Sequence, residues 1–278
     1  MNTKCRGALC GAIMIAVLAS SIPVYAGGPN LFSDLGSDFK YTMNNGTEDA
    51  IDVVTAPLNF RLDWLAQPRV YFTLLGAGAA LGGAFALDST MRAQIRGMSN
   101  GAANALEDAG TYSLSAAAGI LYLSGFVTND EKTRHDMITT GEGVAVASVI
   151  TLGFKYMFGR ERPNAGQGVQ AWFKGGQSFV SGEATPAFAL AAGISQHYDY
   201  QWYVALPAYS AAVAVGLGRM GHDEHWLSDI VGAGLVGVGT TELLYYLHRR
   251  HEENPQHYWI FPVSSDRGGG GLGFGYNW

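Results

Sequence analysis

Residues 70–87 read Val-Tyr-Phe-Thr-Leu-Leu-Gly-Ala-Gly-Ala-Ala-Leu-Gly-Gly-Ala-Phe-Ala-Leu, an uncharged run without proline and without polar alternation. It is too long for an ordinary strand of about 5–6 residues, so it predicts a buried or membrane-facing helix. Similar Ala/Gly/Leu/Val runs recur at Ala109–Asn129, Gly143–Phe158, Ala184–His197, Tyr203–Gly218 and Leu227–Leu247, with polar turns between them. A short amphipathic piece around Met91, Ile95 and Met98 separates the first two. The fold class predicted is all-α, a helical bundle of about six core helices spanning residues 70–250. Residues 251–278 differ. Gly271–Trp278 alternate with period two, and Tyr258–Val263 can pair with them across Ser264–Gly270, which predicts a short β-like aromatic tail. Docking onto the helices and resting on lipid are both open to that ribbon.

Upstream of the bundle, residues 27–69 are polar and turn-rich. Asn44-Asn45-Gly46 reads as a breaker, and Thr47 before Glu48 and Asp49 reads as a helix N-terminus. Residues 1–26 have the three parts of a secretory signal: Lys4 and Arg6, an apolar run from Ala8 to Ala19, and Val24-Tyr25-Ala26 as a cleavage site. Export, with the bacterial periplasm as destination, is therefore expected. Both cysteines, Cys5 and Cys10, lie inside this segment, so the processed chain needs no oxidative folding.

Only 14 % of residues are charged and the formal net charge is -6. No basic stripe exists to neutralise phosphates, which argues against a nucleic-acid partner. Long uncharged runs approach the length of a membrane span, but their Ala/Gly/Ser content weakens insertion and favours close helix packing. A soluble or membrane-associated bundle is expected, with an integral one as the alternative.

Three blocks carry chemistry. In Lys155-Tyr-Met-Phe-Gly-Arg-Glu-Arg162-Pro163, the two outer cations are seven positions apart, two helical turns, and Pro163 would stop the helix. In Ser178-Phe-Val-Ser181-Gly182-Glu183, Ser181 and Gly182 precede a helical run and suit both an N-cap and an anion. In Arg219-Met-Gly-His222-Asp-Glu-His225-Trp-Leu-Ser-Asp229, an i,i+4 pair lets Asp229 hold one ring nitrogen of His225. Each block alone is compatible with ordinary surface or capping roles.

Together the blocks resemble the type-2 phosphatidic acid phosphatase superfamily, which includes class A acid phosphatases and vanadium haloperoxidases. Its pattern is Lys-x6-Arg-Pro, then Pro-Ser-Gly-His, then Ser-Arg-x5-His-x3-Asp. The resemblance implies that Lys155, Arg162 and Arg219 bind phosphoryl oxygens with help from Ser181 and Gly182. It implies that His225 attacks phosphorus and Asp229 orients it, with neither metal nor cofactor. Preorganised cations and amides are what the spread charge of a phosphoryl group requires.

The chain departs from that pattern at three positions: Val180 for the proline, Gly218 for the serine, and Glu183 for the histidine that protonates the leaving group. Glu183 is open to three readings: a buried, protonated acid; a bystander at a site whose leaving group needs no acid; or the mark of a pocket that binds without turning over. The leading expectation is a phosphatase for a mono- or diphosphate ester, lipid-linked or a small phosphomonoester, with a membrane surface as an open second partner. A non-catalytic phosphate- or lipid-binding scaffold is the competing class, and haloperoxidase chemistry a third. The oligomeric state is open. Gly232-Ala-Gly234-Leu-Val-Gly237 matches a dinucleotide fingerprint but sits inside an apolar run, where helix packing explains it. His222 reads as a pocket-rim or loop residue, not as half of a metal pair with His225. His135, His197, His248, His251 and His257 are expected on solvated loops or helix ends.

Overall fold

The computed structural model describes residues 31–55, 68–253, 258–264 and 270–276, and within them the apolar runs fold as helices. These are α1 (Leu31–Thr55), α2 (Pro68–Ile95), α3 (Asn100–Thr128), α4 (Glu131–Phe158), α5 (Ala184–His197), α6 (Trp202–Gly221) and α7 (Leu227–Glu253). The expected signal segment, residues 1–26, lies outside the described residues. At the C-terminus β1 (Tyr258–Ser264) pairs antiparallel with β2 (Gly270–Tyr276), in a register that sets Tyr258 opposite Tyr276 and Ile260 opposite Phe274. The architecture is the expected all-α bundle with a short hairpin tail.

α5 is the axis. It packs against α3, α4, α6 and α7, and most of its side chains are buried, the majority of them alanine. Small residues let the neighbouring helices approach, and Leu114, Leu121, Ile194, Val204 and Val215 fill the space between α3, α5 and α6. A Cβ added at Gly237 of α7 would lie 2.5 Å from the Thr185 carbonyl oxygen and 2.9 Å from the Ala189 nitrogen of α5. The glycine pattern of α7 therefore serves close helix contact, as its position in an apolar run implied.

Three local expectations are corrected. The polar segment does not break at Asn44–Gly46: α1 runs unbroken through it, and Thr47 is interior to the helix, not its cap. Tertiary contacts outweigh local propensity there. Asp38 is buried on Arg134 of α4 at 3.1 Å, and the Tyr41 hydroxyl meets His248 Nδ1 of α7 at 2.9 Å. Second, α2 continues through Met91 to Ile95, so no separate amphipathic piece exists. Third, α4 ends at Phe158, not at Pro163. Gly159 takes a left-handed conformation (φ 49°) and its N–H closes on the Lys155 carbonyl. Arg162 is thus extended backbone ahead of a 3-10 turn at Pro163–Ala165, and does not share a helix with Lys155.

The histidines of the far end are also more engaged than expected. His248 is buried beside Thr139 at 2.8 Å, His135 stacks on Tyr41, and His197 Nδ1 sits 2.7 Å from Asp136. These contacts tie α1, α4, α5 and α7 together. The side chains of His251 and His257 lie outside the described ones.

Four segments are long and apolar enough to cross a membrane: Tyr71–Ile95, Glu131–Ala165, Trp202–Gly221 and Leu227–Arg250. In the first, only 11 % of the most apolar window is buried, so Phe72, Leu74, Leu75 and Leu87 face outward. Val149, Tyr156, Met157, Trp202 and Leu206 extend this exposed apolar surface over α4 and α6.

Candidate active site

The C-terminal turns of α2, α4 and α6 meet the N-terminal ends of α3, α5 and α7 at one end of the bundle. Contacts of Asp88 with Ser228, Glu107 with Arg219, and Glu183 with His225 define that end. All eight residues singled out from the sequence come together there.

His225 stands just before α7 and its side chain is fully buried. Its Nδ1 lies 3.4 Å from Asp229 Oδ2. That carboxylate is an acceptor, so Nδ1 carries a hydrogen. Among the described residues Nε2 makes no hydrogen bond, and Glu183 Oε2 is 3.6 Å from it. Asp229 is held from several sides. Ser178 donates to it at 2.5 Å, the Trp226 amide at 2.9 Å and Arg160 at 2.6 Å.

Arg160 and Asp88 were not singled out from the sequence, and they are central. Arg160 is buried and donates to Asp229 and Ser228 with one nitrogen and to Asp88, at 2.6 Å, with the other. Its guanidinium lies over Trp172 (4.5 Å), Trp226 (5.2 Å) and Phe85 (5.4 Å). Asp88 in turn accepts from the amide and hydroxyl of Ser228. The signals were present: an arginine inside the first block, and the first charge after the apolar run of α2. Nothing in either local pattern pairs one with the other.

The cations converge on the same place. Lys155, in the last turn of α4, donates to the Gln177 carbonyl at 2.7 Å, and its Cε would lie 3.5 Å from a Cβ at Gly182. Arg162 and Arg219 both donate to Glu224, the former at 2.8 Å. Arg219 also meets Glu107 at 3.3 Å and Glu183 at 3.4 Å. Ser181 is buried; its Oγ accepts from the Ala184 amide that opens α5, and its amide donates to the Asp229 carbonyl. His222 lies 3.8 Å from Glu107, on a different carboxylate from His225.

Two of the three departures from the family pattern have packing causes. A Cβ at Gly218 would lie 2.7 Å from the Ala103 carbonyl oxygen and 2.9 Å from Glu107 Cβ, so a serine does not fit against α3. Val180 is fully buried among Phe179, Met220, Ile230 and Ala233, where a valine fills the space. Glu183 is an electrostatic departure. The His225 ring facing it, with Arg219 beside it, pulls its carboxyl down to about 2, against the opposing effect of partial burial.

The chain also matches the model of the PAP2 superfamily over residues 137–253. Over that stretch the chain is similar to the PAP2 superfamily. The PAP2 match begins within α4, so α1 to α3, and with them Asp88 and Glu107, lie ahead of it. A lipid A 1-phosphatase of Porphyromonas gingivalis is 30% identical over 113 residues, which is 40% of this chain and 23% of that relative. No solved structure matches the chain.

Proposed function

We propose that the protein is an exported, membrane-embedded phosphatase that removes a terminal phosphate from a lipid-linked mono- or diphosphate. The observation that carries this is the buried His225, with Nδ1 on Asp229 and Nε2 turned into the space where Lys155, Arg162 and Arg219 converge. The His225 Nε2 lone pair attacks phosphorus, and the bond from phosphorus to the ester or anhydride oxygen breaks, its electron pair leaving with that oxygen. Water then displaces the histidine and releases inorganic phosphate. No metal takes part in these steps. The PAP2 match and the similarity to a lipid A 1-phosphatase support a lipid-linked phosphate as substrate. The exposed apolar face of α2, α4 and α6 supports a bundle set in lipid, with the site at one membrane face. On that basis the protein is expected to stay with the membrane pellet through high salt and alkaline carbonate. Release by carbonate would reject embedding.

Glu183 shapes the substrate choice. A carboxyl near 2 is ionised above roughly pH 4 and holds no proton for the departing oxygen. Leaving groups of low basicity, such as the inner phosphate of a diphosphate, are therefore favoured over alkoxides. The chief test is phosphate release by purified protein in excess chelator, from paired lipid mono- and diphosphates. Glu183→His should raise turnover of alkyl monophosphates about 10²-fold, the size of a general-acid contribution. The variant's rate should fall above about pH 6.5 as the new imidazolium loses its proton, whereas the parent shows no limb from residue 183 between about pH 4 and 9. Unchanged turnover in Glu183→His would reject this account of residue 183. The ionised Glu183 also favours one other reading, a phosphate-binding scaffold, for which no phosphate is released from either substrate.

A further inference from the structure

Glu224 immediately precedes His225, in the turn between α6 and α7, and has no part in the reaction above. One of its oxygens, Oε2, accepts from Arg162 Nη1 at 2.8 Å and from Arg219 Nη2. A single anionic oxygen thus bridges two guanidinium groups, which is the contact a phosphoryl oxygen makes with paired arginines. The backbone holds Glu224 in place for it. Its amide donates to the Arg219 carbonyl at 3.3 Å. The preceding Asp223 is clamped by Arg92 through two bonds of 2.7 Å. With Glu107 and Glu183 also on Arg219, three carboxylates face the three cations. The Glu224 side chain is 28% exposed, so rotation about its own bonds carries the carboxylate into water.

We propose that Glu224 is a resident competitor for the anion cradle and thereby selects ligands by charge. The inference rests on the phosphate site described under the proposed function. An incoming group must replace two charge-assisted hydrogen bonds to arginine. A terminal phosphate brings three unesterified oxygens and up to two charges and displaces the carboxylate. A phosphodiester brings two such oxygens and one charge, and does not.

The test is calorimetric binding of inorganic phosphate and of dimethyl phosphate to the full chain in detergent, with wild type, Glu224→Gln and Glu224→Ala. Phosphate is expected to bind wild type and to bind both variants about tenfold more tightly, with dimethyl phosphate binding detectable only in the variants. Phosphate binding that is unchanged or weaker in both variants overturns the proposal, because Glu224 then orients the arginines instead of competing for them. Absence of phosphate binding in all three proteins overturns the underlying phosphate site as well, so the two failures are distinguishable.

Discussion

Replacement of His225 by alanine is expected to lower kcat for phosphate release by roughly 10⁴-fold or more while leaving KM within a few-fold, as for loss of a nucleophile. The expectation follows from the ring's position: fully buried, fixed by Asp229 on one nitrogen, with the other facing the cations. Lys155, Arg162 and Arg219 are untouched by the change, so ground-state binding survives. Rapid acid-free quenching of wild type with labelled substrate should trap acid-labile phosphate on the protein, and the His225→Ala chain should trap none. Asp229→Asn provides the companion measurement. It preserves shape but removes the charge that Ser178, Trp226 and Arg160 converge on, and a loss of about 10²- to 10⁴-fold is expected. Equal turnover in wild type and His225→Ala would reject the nucleophile.

The second large effect is expected at Arg160 and Asp88, and it is an effect on stability as well as rate. Asp88→Ala strands a buried guanidinium with one carboxylate where it had two, and Arg160→Ala strands both carboxylates. Breaking a buried pair by removing one partner costs about 3–5 kcal/mol, far more than a surface pair contributes. Thermal unfolding in detergent should report this as a clear drop in Tm for either single variant. The double variant Asp88→Asn with Arg160→Met should cost less than the sum of the singles, because neither residue is then left uncompensated. Turnover should fall in all of them, with kcat affected more than KM, since Arg160 touches Asp229 and not the cradle. A Tm unchanged by both single substitutions would show that the network is solvated, contrary to its burial.

How much was legible beforehand depended on whether the information was local. Ala184–His197 was bounded correctly because a capping serine opens it and a polar stretch closes it. The N-terminal helix was missed because Asn44-Asn45-Gly46 disfavours helix locally, whereas the forces holding it come from Arg134 and His248, far along the chain. The end of α4 was placed too late for a similar reason: proline is a louder stop signal than a glycine that has to adopt positive φ. The eight candidate residues could be singled out because spacing between motif residues survives in sequence, and the fold brings them to one end of the bundle. Glu224, Arg160 and Asp88 were not, because each acts through partners on other elements and leaves no periodic trace. Gly218 shows the reverse case: it departs from the family's serine, and its lack of a side chain is a requirement of the α3–α6 approach.

The Asp88–Arg160–Asp229 chain has a consequence for how the protein is put together. Its members come from α2, from the loop after α4, and from α7, with 72 positions between the first and second and 69 between the second and third. No helical hairpin made early in synthesis contains a complete set. Until α7 arrives, Arg160 lacks Asp229 and Ser228, and Asp88 lacks the Ser228 amide and hydroxyl. An immature bundle therefore leaves hydrogen-bonding groups of Arg160 and Asp88 without their α7 partners at its open end, a mark that distinguishes it from the finished one. Completion of the fold and completion of the network that holds Asp229 against His225 become a single event.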